Sequence, residues 1–191
     1  MTKGRLEAFS DGVIAIIITI MVLELRAPHD PNPAALLPLI PVFLSYLLSF
    51  VFLGIYWSNH HHLLHAVQHV NGSVLWANLH LLFWLSLVPF VTGWMGQNHF
   101  ARWTLAIYGM VLLLSAIAYS ILVQTLLSLH GRESVLRDAL GSDFKGKISM
   151  VIYLVAIPLA LVQWWLACAL YILVAIMWLV PDRRIERKLT S

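Results

Sequence analysis

The sequence has few charged residues and a single cysteine. Lysine, arginine, aspartate and glutamate make up 11% of its 191 residues, whereas 60% are hydrophobic. A soluble domain carries charge on about a quarter of its residues, because its surface faces water. The composition therefore excludes a soluble globular protein and predicts an integral membrane protein. The lone Cys168 excludes a disulfide within the chain.

Catalytic motifs are missing as well. The sequence contains no glycine-rich phosphate loop and no nucleophile elbow, and its acidic residues are scattered. A short run of histidines is the only pattern of metal-ligating type. We therefore predict neither an enzyme nor a bound cofactor or metal.

Long apolar runs fill most of the chain. Runs of about 17 to 25 apolar residues are long enough to cross a bilayer as helices. Six are predicted, over residues 6–25, 36–57, 74–94, 103–129 and two that share 148–180. The last two must be short or tilted, a single re-entrant element is an alternative there, and Pro158 is expected to kink the fifth. The prediction is an all-α protein with one six-helix transmembrane domain over residues 1–191.

Basic residues predict the orientation of these spans. With a cytoplasmic amino terminus, only Arg26 and Arg102 face outward. Ten basic residues then lie on the cytoplasmic side: Lys3, Arg5, Arg132, Arg137, Lys145, Lys147, Arg183, Arg184, Arg187 and Lys188. This distribution obeys the positive-inside rule and predicts that both termini are cytoplasmic. The basic pI of about 9.2 thus reflects topology, and no nucleic-acid partner is expected.

The first predicted helix has two different faces. With 100° per residue, Ile16, Ile20 and Leu23 form a narrow apolar stripe. Asp11 points about 140° away from Ile16, and must face protein or a polar cavity because a charge in lipid is costly. The stripe is either ordinary packing or lipid contact, or the lining of a conduit. A conduit would need several subunits around a shared axis.

Histidines cluster at the end of the second predicted span. His61, His65 and His69 recur every fourth residue and would share one helical face. A metal-dependent enzyme, a pH sensor, and hydrogen bonds between packed helix ends are the open interpretations. We favour hydrogen bonding, with a histidine as the partner of Asp11. Glu24 either pairs with Arg26 or attracts cations, and we favour the pairing.

Several motifs resemble one family of membrane proteins. Arg5-x-x-x-Phe9-Ser10-Asp11, followed by Ile16-Ile17-Ile18-Thr19, resembles the signature of the TMEM175 family of potassium channels in its bacterial six-span form. Trp57-x-x-His60-His61-x-Leu63, Asn78-Leu79 and Pro89-Phe90 resemble that family's second and third helices. The similarity covers most of the first hundred residues, and the later half matches in hydropathy and length only.

The resemblance implies a potassium-permeable cation channel of the bacterial plasma membrane. It implies a homotetramer whose pore is lined by the first helix of each subunit, with potassium ions and the lipid bilayer as partners and no cofactor. Ile16 would form the constriction, Ile20 and Leu23 further apolar layers, and Thr19 a position implicated in cation selectivity. An inter-helix polar network would contain Arg5, Phe9, Ser10, Asp11, Trp57, His60 or His61, and Asn78.

One feature separates this sequence from ordinary potassium channels, and another departs from the pattern of the TMEM175 family. The sequence has no Thr-Val-Gly-Tyr-Gly filter, so selectivity must come from something other than rings of backbone carbonyls. His62, His65 and His69 lie outside the motif and are assigned no role in the pore. The alternatives are a proton-coupled secondary transporter that uses the histidines from His60 to His69, and a membrane scaffold that conducts no ions.

Overall fold

The computed structural model describes residues 2–130 and 144–179, and helices make up its regular structure there. The elements are α1 (Lys3–Leu23), a 3-10 segment (Pro33–Leu39), α2 (Ile40–His65), α3 (Gly72–Ser86), α4 (Val88–Gln97), α5 (Arg102–His130), α6 (Phe144–Val162) and α7 (Trp164–Leu179). The 3-10 segment leads directly into α2, and α3 and α4 follow one another as one span. Within these ranges five spans are long and apolar enough to cross a membrane, and α7 is a shorter apolar helix that makes the sixth. The prediction of an all-α, multi-pass membrane protein is confirmed.

Prolines lie where one span begins as a 3-10 segment and where another is interrupted. Pro33 opens the 3-10 segment, and Pro89 lies in the first turn of α4, just after the break at Leu87. A proline has no N–H to donate, so it fits the first turn of a helix and interrupts a longer one. Asn71 caps α3, because its Oδ1 accepts a hydrogen bond from the Val74 N–H at 3.0 Å.

The last two spans are separate antiparallel helices. The helix α6 continues through Pro158 to Val162, and the break comes at Gln163. The Trp178 Nε1 donates to the Ser149 Oγ at 2.9 Å, which ties the end of α7 to the start of α6. The re-entrant alternative is therefore wrong. At 16 residues, α7 is about 24 Å long, shorter than the hydrocarbon core, so a short last span is confirmed.

The helices alternate in direction, so the bundle has two distinct ends. The Lys3 Nζ donates to the His65 carbonyl oxygen at 3.1 Å, which joins the start of α1 to the end of α2. At the opposite end, the Gln97 Nε2 donates to the Glu24 Oε2 at 3.1 Å. We call the first of these the basic end, since Lys3, Arg5, Lys145 and Lys147 belong to it. The other basic residues assigned to this side, Arg132, Arg137, Arg183, Arg184, Arg187 and Lys188, lie outside the described residues.

Hydroxyl groups inside the bundle bond to one another or to a backbone carbonyl. The Ser49 Oγ on α2 lies 2.7 Å from the Thr92 Oγ1 on α4 and 3.0 Å from the Tyr108 hydroxyl on α5. The Tyr171 hydroxyl on α7 donates to the Leu105 carbonyl oxygen at 3.1 Å. Buried polar groups need such partners, and these bonds fix how the four helices are placed around the interior.

A close approach of backbones joins α4 to α2, and Gly96→Ala should weaken it. A Cβ at position 96 would lie 2.7 Å from the Val42 Cα and would also meet the Ser45 Oγ. A backbone atom cannot move aside as a side chain can. We therefore expect Gly96→Ala to lower the free energy of unfolding by about 2 kcal/mol, measured by thermal or denaturant unfolding of the purified protein in detergent.

Gly54→Ala on α2 is the matched control. A Cβ at position 54 has nothing within 4 Å, and alanine is the better helix former by about 1 kcal/mol. Gly54→Ala should therefore unfold at the wild-type temperature or above it. Equal unfolding temperatures for the two variants would show that the helices at Gly96 are not in tight contact.

Candidate functional site

The helix α1 attaches to its own subunit along one face. The residues buried on α1 recur every three to four positions: Leu6, Ser10, Ile14, Ile17 and Met21. The predicted stripe lies on the other side, where Ile16 is 58% exposed, Ile20 45% and Leu23 73%. Within the described residues, the stripe is therefore not covered by the rest of this chain. The lipid and conduit interpretations both need an exposed face, and both stay open.

Thr19 lies beside this stripe and is also exposed. Its Oγ1 donates to the Ile16 carbonyl oxygen at 2.9 Å, which is a bond within the same helix. The hydroxyl proton is therefore used, and the oxygen lone pairs are left to accept hydrogen bonds. An exposed hydroxyl in this state can hold a water molecule but cannot donate to it.

Ser10, Asn78 and His60 form one buried chain of hydrogen bonds across α1, α3 and α2. The Asn78 Nδ2 donates to the Ser10 Oγ at 2.9 Å, and Ser10 donates onward to the Leu6 carbonyl oxygen at 2.9 Å. The Asn78 Oδ1 lies 2.7 Å from the His60 Nε2. All three side chains are 0% exposed. The structure thus brings together three residues from three separate predicted spans.

These hydrogen bonds determine the tautomer of His60. The Asn78 amide nitrogen is used by Ser10, so the amide oxygen faces the imidazole and must accept a proton from Nε2. A neutral His60 then carries no proton on Nδ1. That atom is buried and has no hydrogen-bond partner among the residues that the structure describes.

A second pair of contacts joins the exposed sides of α1 and α2. The Trp57 Nε1 donates to the Asp11 Oδ1 at 3.1 Å, and the His61 Nδ1 lies 3.3 Å from the Glu7 Oε1. In each helix the two residues are four positions apart, so antiparallel packing matches one pair with the other. The predicted histidine–Asp11 bond is wrong, because Trp57 occupies that position. The sequence reasoning missed Glu7, although its spacing from Asp11 was visible.

Other predicted contacts of the site differ in the subunit. Arg5 and Phe9 are exposed, and within the described ranges Arg5 makes no hydrogen bond or ion pair, so the subunit does not bring either residue into the network. Glu24 accepts a hydrogen bond from Gln97 on α4, not from the Arg26 side chain, so the favoured pairing is wrong. The neighbouring helix reaches Glu24, whereas the Arg26 side chain stays exposed.

The histidines do not assemble as one face. The helix α2 ends at His65, so His69 lies beyond it and packs on His130, with ring centroids 4.6 Å apart. The predicted shared face therefore includes only His61 and His65, whose rings stack at 6.1 Å. No three histidine, cysteine, aspartate or glutamate side chains within 2–130 and 144–179 are grouped as metal ligands.

Comparisons with known proteins identify the family. The model of the family described as endosomal/lysosomal potassium channel TMEM175 matches residues 5–89. A potassium channel of Chryseobacterium sp. is 54% identical over 189 residues, 99% of this chain and 98% of that protein. The chain belongs to the TMEM175 family. The resemblance found in the sequence is confirmed, and the TMEM175 proteins are ion channels, not enzymes.

Structural and more distant relatives of the TMEM175 family agree with this. The crystal structure of a lysosomal potassium-selective channel TMEM175 homolog from Chamaesiphon minutus has a TM-score of 0.83 at 29% identity, covering 93% of this chain and 96% of that one. The endosomal/lysosomal proton channel TMEM175 of Homo sapiens is 36% identical over 96 residues, 44% of this chain and 19% of that protein. The TMEM175 match at residues 5–89 covers α1 from its third residue onward and all of α2 and α3, the helices joined by the hydrogen bonds of Ser10, Asn78 and His60.

Proposed function

We propose that this chain is a potassium-permeable channel formed by four identical subunits, with α1 of each subunit lining the pore and Ile16 forming its constriction. The observation that carries the proposal is the exposed stripe of Ile16, Ile20 and Leu23 on a helix whose other face is held by its own subunit. A relative 54% identical over almost the whole chain bears the name potassium channel. A symmetric ring of subunits would direct the same stripe of each copy toward one axis.

Ionisable side chains on another side of α1 argue against a position of this helix at the lipid boundary. Asp11 is half-buried next to Trp57, and Glu7 is close to His61, so both carboxylates lie at the basic end on the side of α1 that meets α2, well around the helix from Ile16. Such residues in membrane helices face a bundle interior or a water-filled cavity, because lipid does not solvate them. A position of α1 at the lipid boundary would leave these carboxylates near hydrocarbon.

The proposed constriction selects ions by the cost of removing water. Four Ile16 side chains offer no ligand to a bare cation, so an ion must shed part of its water to pass. Potassium loses water at a lower cost than sodium, because the larger ion holds its water less tightly. Thr19 lies one turn outward, and its lone pairs can accept a hydrogen bond from water that remains around the ion.

The two ends of the bundle fit roles at the mouths of such a pore. We assign the basic end to the cytoplasmic side, in agreement with the positive-inside rule, and the membrane to the bacterial plasma membrane. Glu24 is then at the outer end, where its carboxylate is held by Gln97 close to the end of α1. A ring of four carboxylates at an outer mouth would raise the local concentration of cations.

A cysteine at Leu23 tests whether the stripe lines the pore. In a Cys168→Ser background, Leu23→Cys should make potassium flux into proteoliposomes sensitive to a cationic thiol reagent, with block of most of the flux. Val22→Cys is the matched control, since Val22 is also exposed, at 45% against 73% for Leu23, but lies about 100° around the helix. Equal sensitivity of both variants, or of neither, would contradict the assignment of α1 to the pore lining.

The same vesicles distinguish the channel from the alternatives. A channel gives potassium flux that rises with concentration without saturating and is larger than sodium flux. A proton-coupled transporter that uses His60 to His69 would saturate and follow an imposed pH gradient. Proton flux is measured in parallel, because a human relative bears the name proton channel. If the protein is tetrameric by cross-linking but gives no ion flux, the channel hypothesis is rejected and the membrane scaffold is favoured.

A further inference from the structure

A cleft at the basic end lies apart from α1. It is bounded by α2, α5, α6 and α7, and encloses about 420 Å³ of space, its open mouth included. The lining side chains that matter here are Phe52, Tyr56, Asn59, Tyr119, Tyr153 and Trp178. On α2 these residues face away from Trp57, which contacts α1. The cleft is therefore separate from the proposed pore.

Aromatic rings form the inner walls of the cleft. The rings of Tyr56 and Tyr119 meet edge to face with centroids 6.2 Å apart, and those of Phe52 and Tyr153 do so at 6.3 Å. Rings that hold one another in this way keep a narrow apolar slot open. Such a slot suits a hydrocarbon chain, which fills apolar space without requiring hydrogen bonds.

Two polar groups on α2 lie in the same cleft without partners. The Tyr56 hydroxyl and the Asn59 side-chain amide line it, and neither makes a hydrogen bond with any residue that the structure describes. They lie about 14 Å and about 9 Å along the helix from its end at His65. Unpaired polar groups at this depth are costly. Ester oxygens of a ligand would satisfy both donors.

A positive charge lies toward the mouth. The Lys145 Nζ is 5.9 Å from the ring centroid of Trp178, which lines the cleft. Ser149 also lines it, and the Ser149 Oγ donates to the Lys145 carbonyl oxygen at 2.7 Å, so Lys145 is one turn nearer the end of the bundle. Lys147 follows on the same turn and is exposed. From the inside of the cleft to its mouth, the lining is therefore first apolar, then able to form hydrogen bonds, and finally positively charged.

We propose that this cleft binds an anionic phospholipid. One acyl chain lies between the aromatic rings, its ester oxygens meet Tyr56 and Asn59, and its phosphate faces Lys145. A free anion would not need the apolar slot, and a lipid without net charge would not need the lysine. Basic pockets between helices at the cytoplasmic face bind anionic head groups in this way. The site requires no ion permeation, so it stands independently of the proposed function.

Native mass spectrometry of the purified full chain tests this site with phosphatidylglycerol and phosphatidylcholine. The wild type should retain phosphatidylglycerol preferentially. Ala116→Phe, which fills the cleft from α5, should abolish that retention, whereas Ile117→Phe on the neighbouring exposed position should not. Lys145→Gln should weaken phosphatidylglycerol binding about fivefold, the effect of about 1 kcal/mol per lysine. Lys3→Gln, at the same end but on α1, should leave binding unchanged.

Three results of these measurements would overturn the proposed lipid site. Equal retention of the two lipids by the wild type would overturn the proposal, as would unchanged phosphatidylglycerol retention in Ala116→Phe. Equal losses in Lys145→Gln and Lys3→Gln would mean that any charge at this end attracts the lipid, and would also overturn it. If Ala116→Phe does not fold, Asn59→Leu replaces it, and here too retention at the wild-type level counts against the site.

Discussion

Ile16→Asn will raise potassium flux into proteoliposomes by about tenfold and weaken the preference for potassium over sodium. The side chain is exposed on α1 and offers no polar atom to an ion. In the proposed tetramer, an asparagine from each subunit would supply amide oxygens and hold water at the proposed constriction. A barrier lowered by about 1.4 kcal/mol corresponds to tenfold in rate. Sodium should gain more than potassium, because its removal from water costs more.

Val22→Asn is the control for this result. Val22 has an exposure similar to that of Ile20, and it lies about 120° around the helix from Ile16. The Val22→Asn variant introduces the same amide into the same helix, but at a position that does not face the proposed axis. Both flux and selectivity should therefore stay at wild-type values. If Ile16→Asn leaves the potassium-to-sodium flux ratio unchanged while the variant assembles as the wild type does, Ile16 is not the selective constriction.

The spans could be predicted from the sequence because a bilayer leaves little choice. A segment in hydrocarbon must satisfy its own backbone, so long apolar runs become helices. The same argument does not locate breaks inside a run. Pro89 lies just after a break, whereas α6 continues through Pro158 and the chain turns at Gln163. Whether a proline interrupts a span depends on the packing of neighbouring helices, which the local composition of the span does not predict.

The helical wheel predicted which residues of α1 share a face, but not which residues of other helices they contact. The helical wheel separated Ile16 from Asp11, and the structure leaves Ile16 exposed and Asp11 bonded. The wheel could not say which neighbour each polar residue meets. Ser10 and Asp11 differ by about 100°, which is enough to direct Ser10 inward to Asn78 and Asp11 outward to Trp57. That choice depends on the rotation of α2 and α3 about their own axes.

Asn78→Leu will lower the free energy of unfolding by about 3 kcal/mol, at the upper end of the cost of leaving a buried group unpaired. Asn78 is fully buried and joins α1 to α2 through Ser10 and His60. Leucine removes the acceptor for the His60 Nε2 proton and leaves the imidazole without its one hydrogen bond among the described residues. Denaturant unfolding of the purified protein measures the loss.

The histidine partner makes this prediction specific. Ser10 keeps its bond to the Leu6 carbonyl oxygen in the variant, so the cost should come from the stranded imidazole. Adding His60→Leu to Asn78→Leu removes that group and should restore about 1 kcal/mol or more, because replacing both partners costs less than replacing one. Ser86→Ala on α3, where the Ser86 hydroxyl donates to the Phe83 carbonyl oxygen in its own turn, should change stability by less than about 0.5 kcal/mol. Strictly additive losses in the double variant, judged against His60→Leu alone, would mean that Asn78 and His60 stabilise the fold independently and that the bond between them does not hold α2 and α3 together.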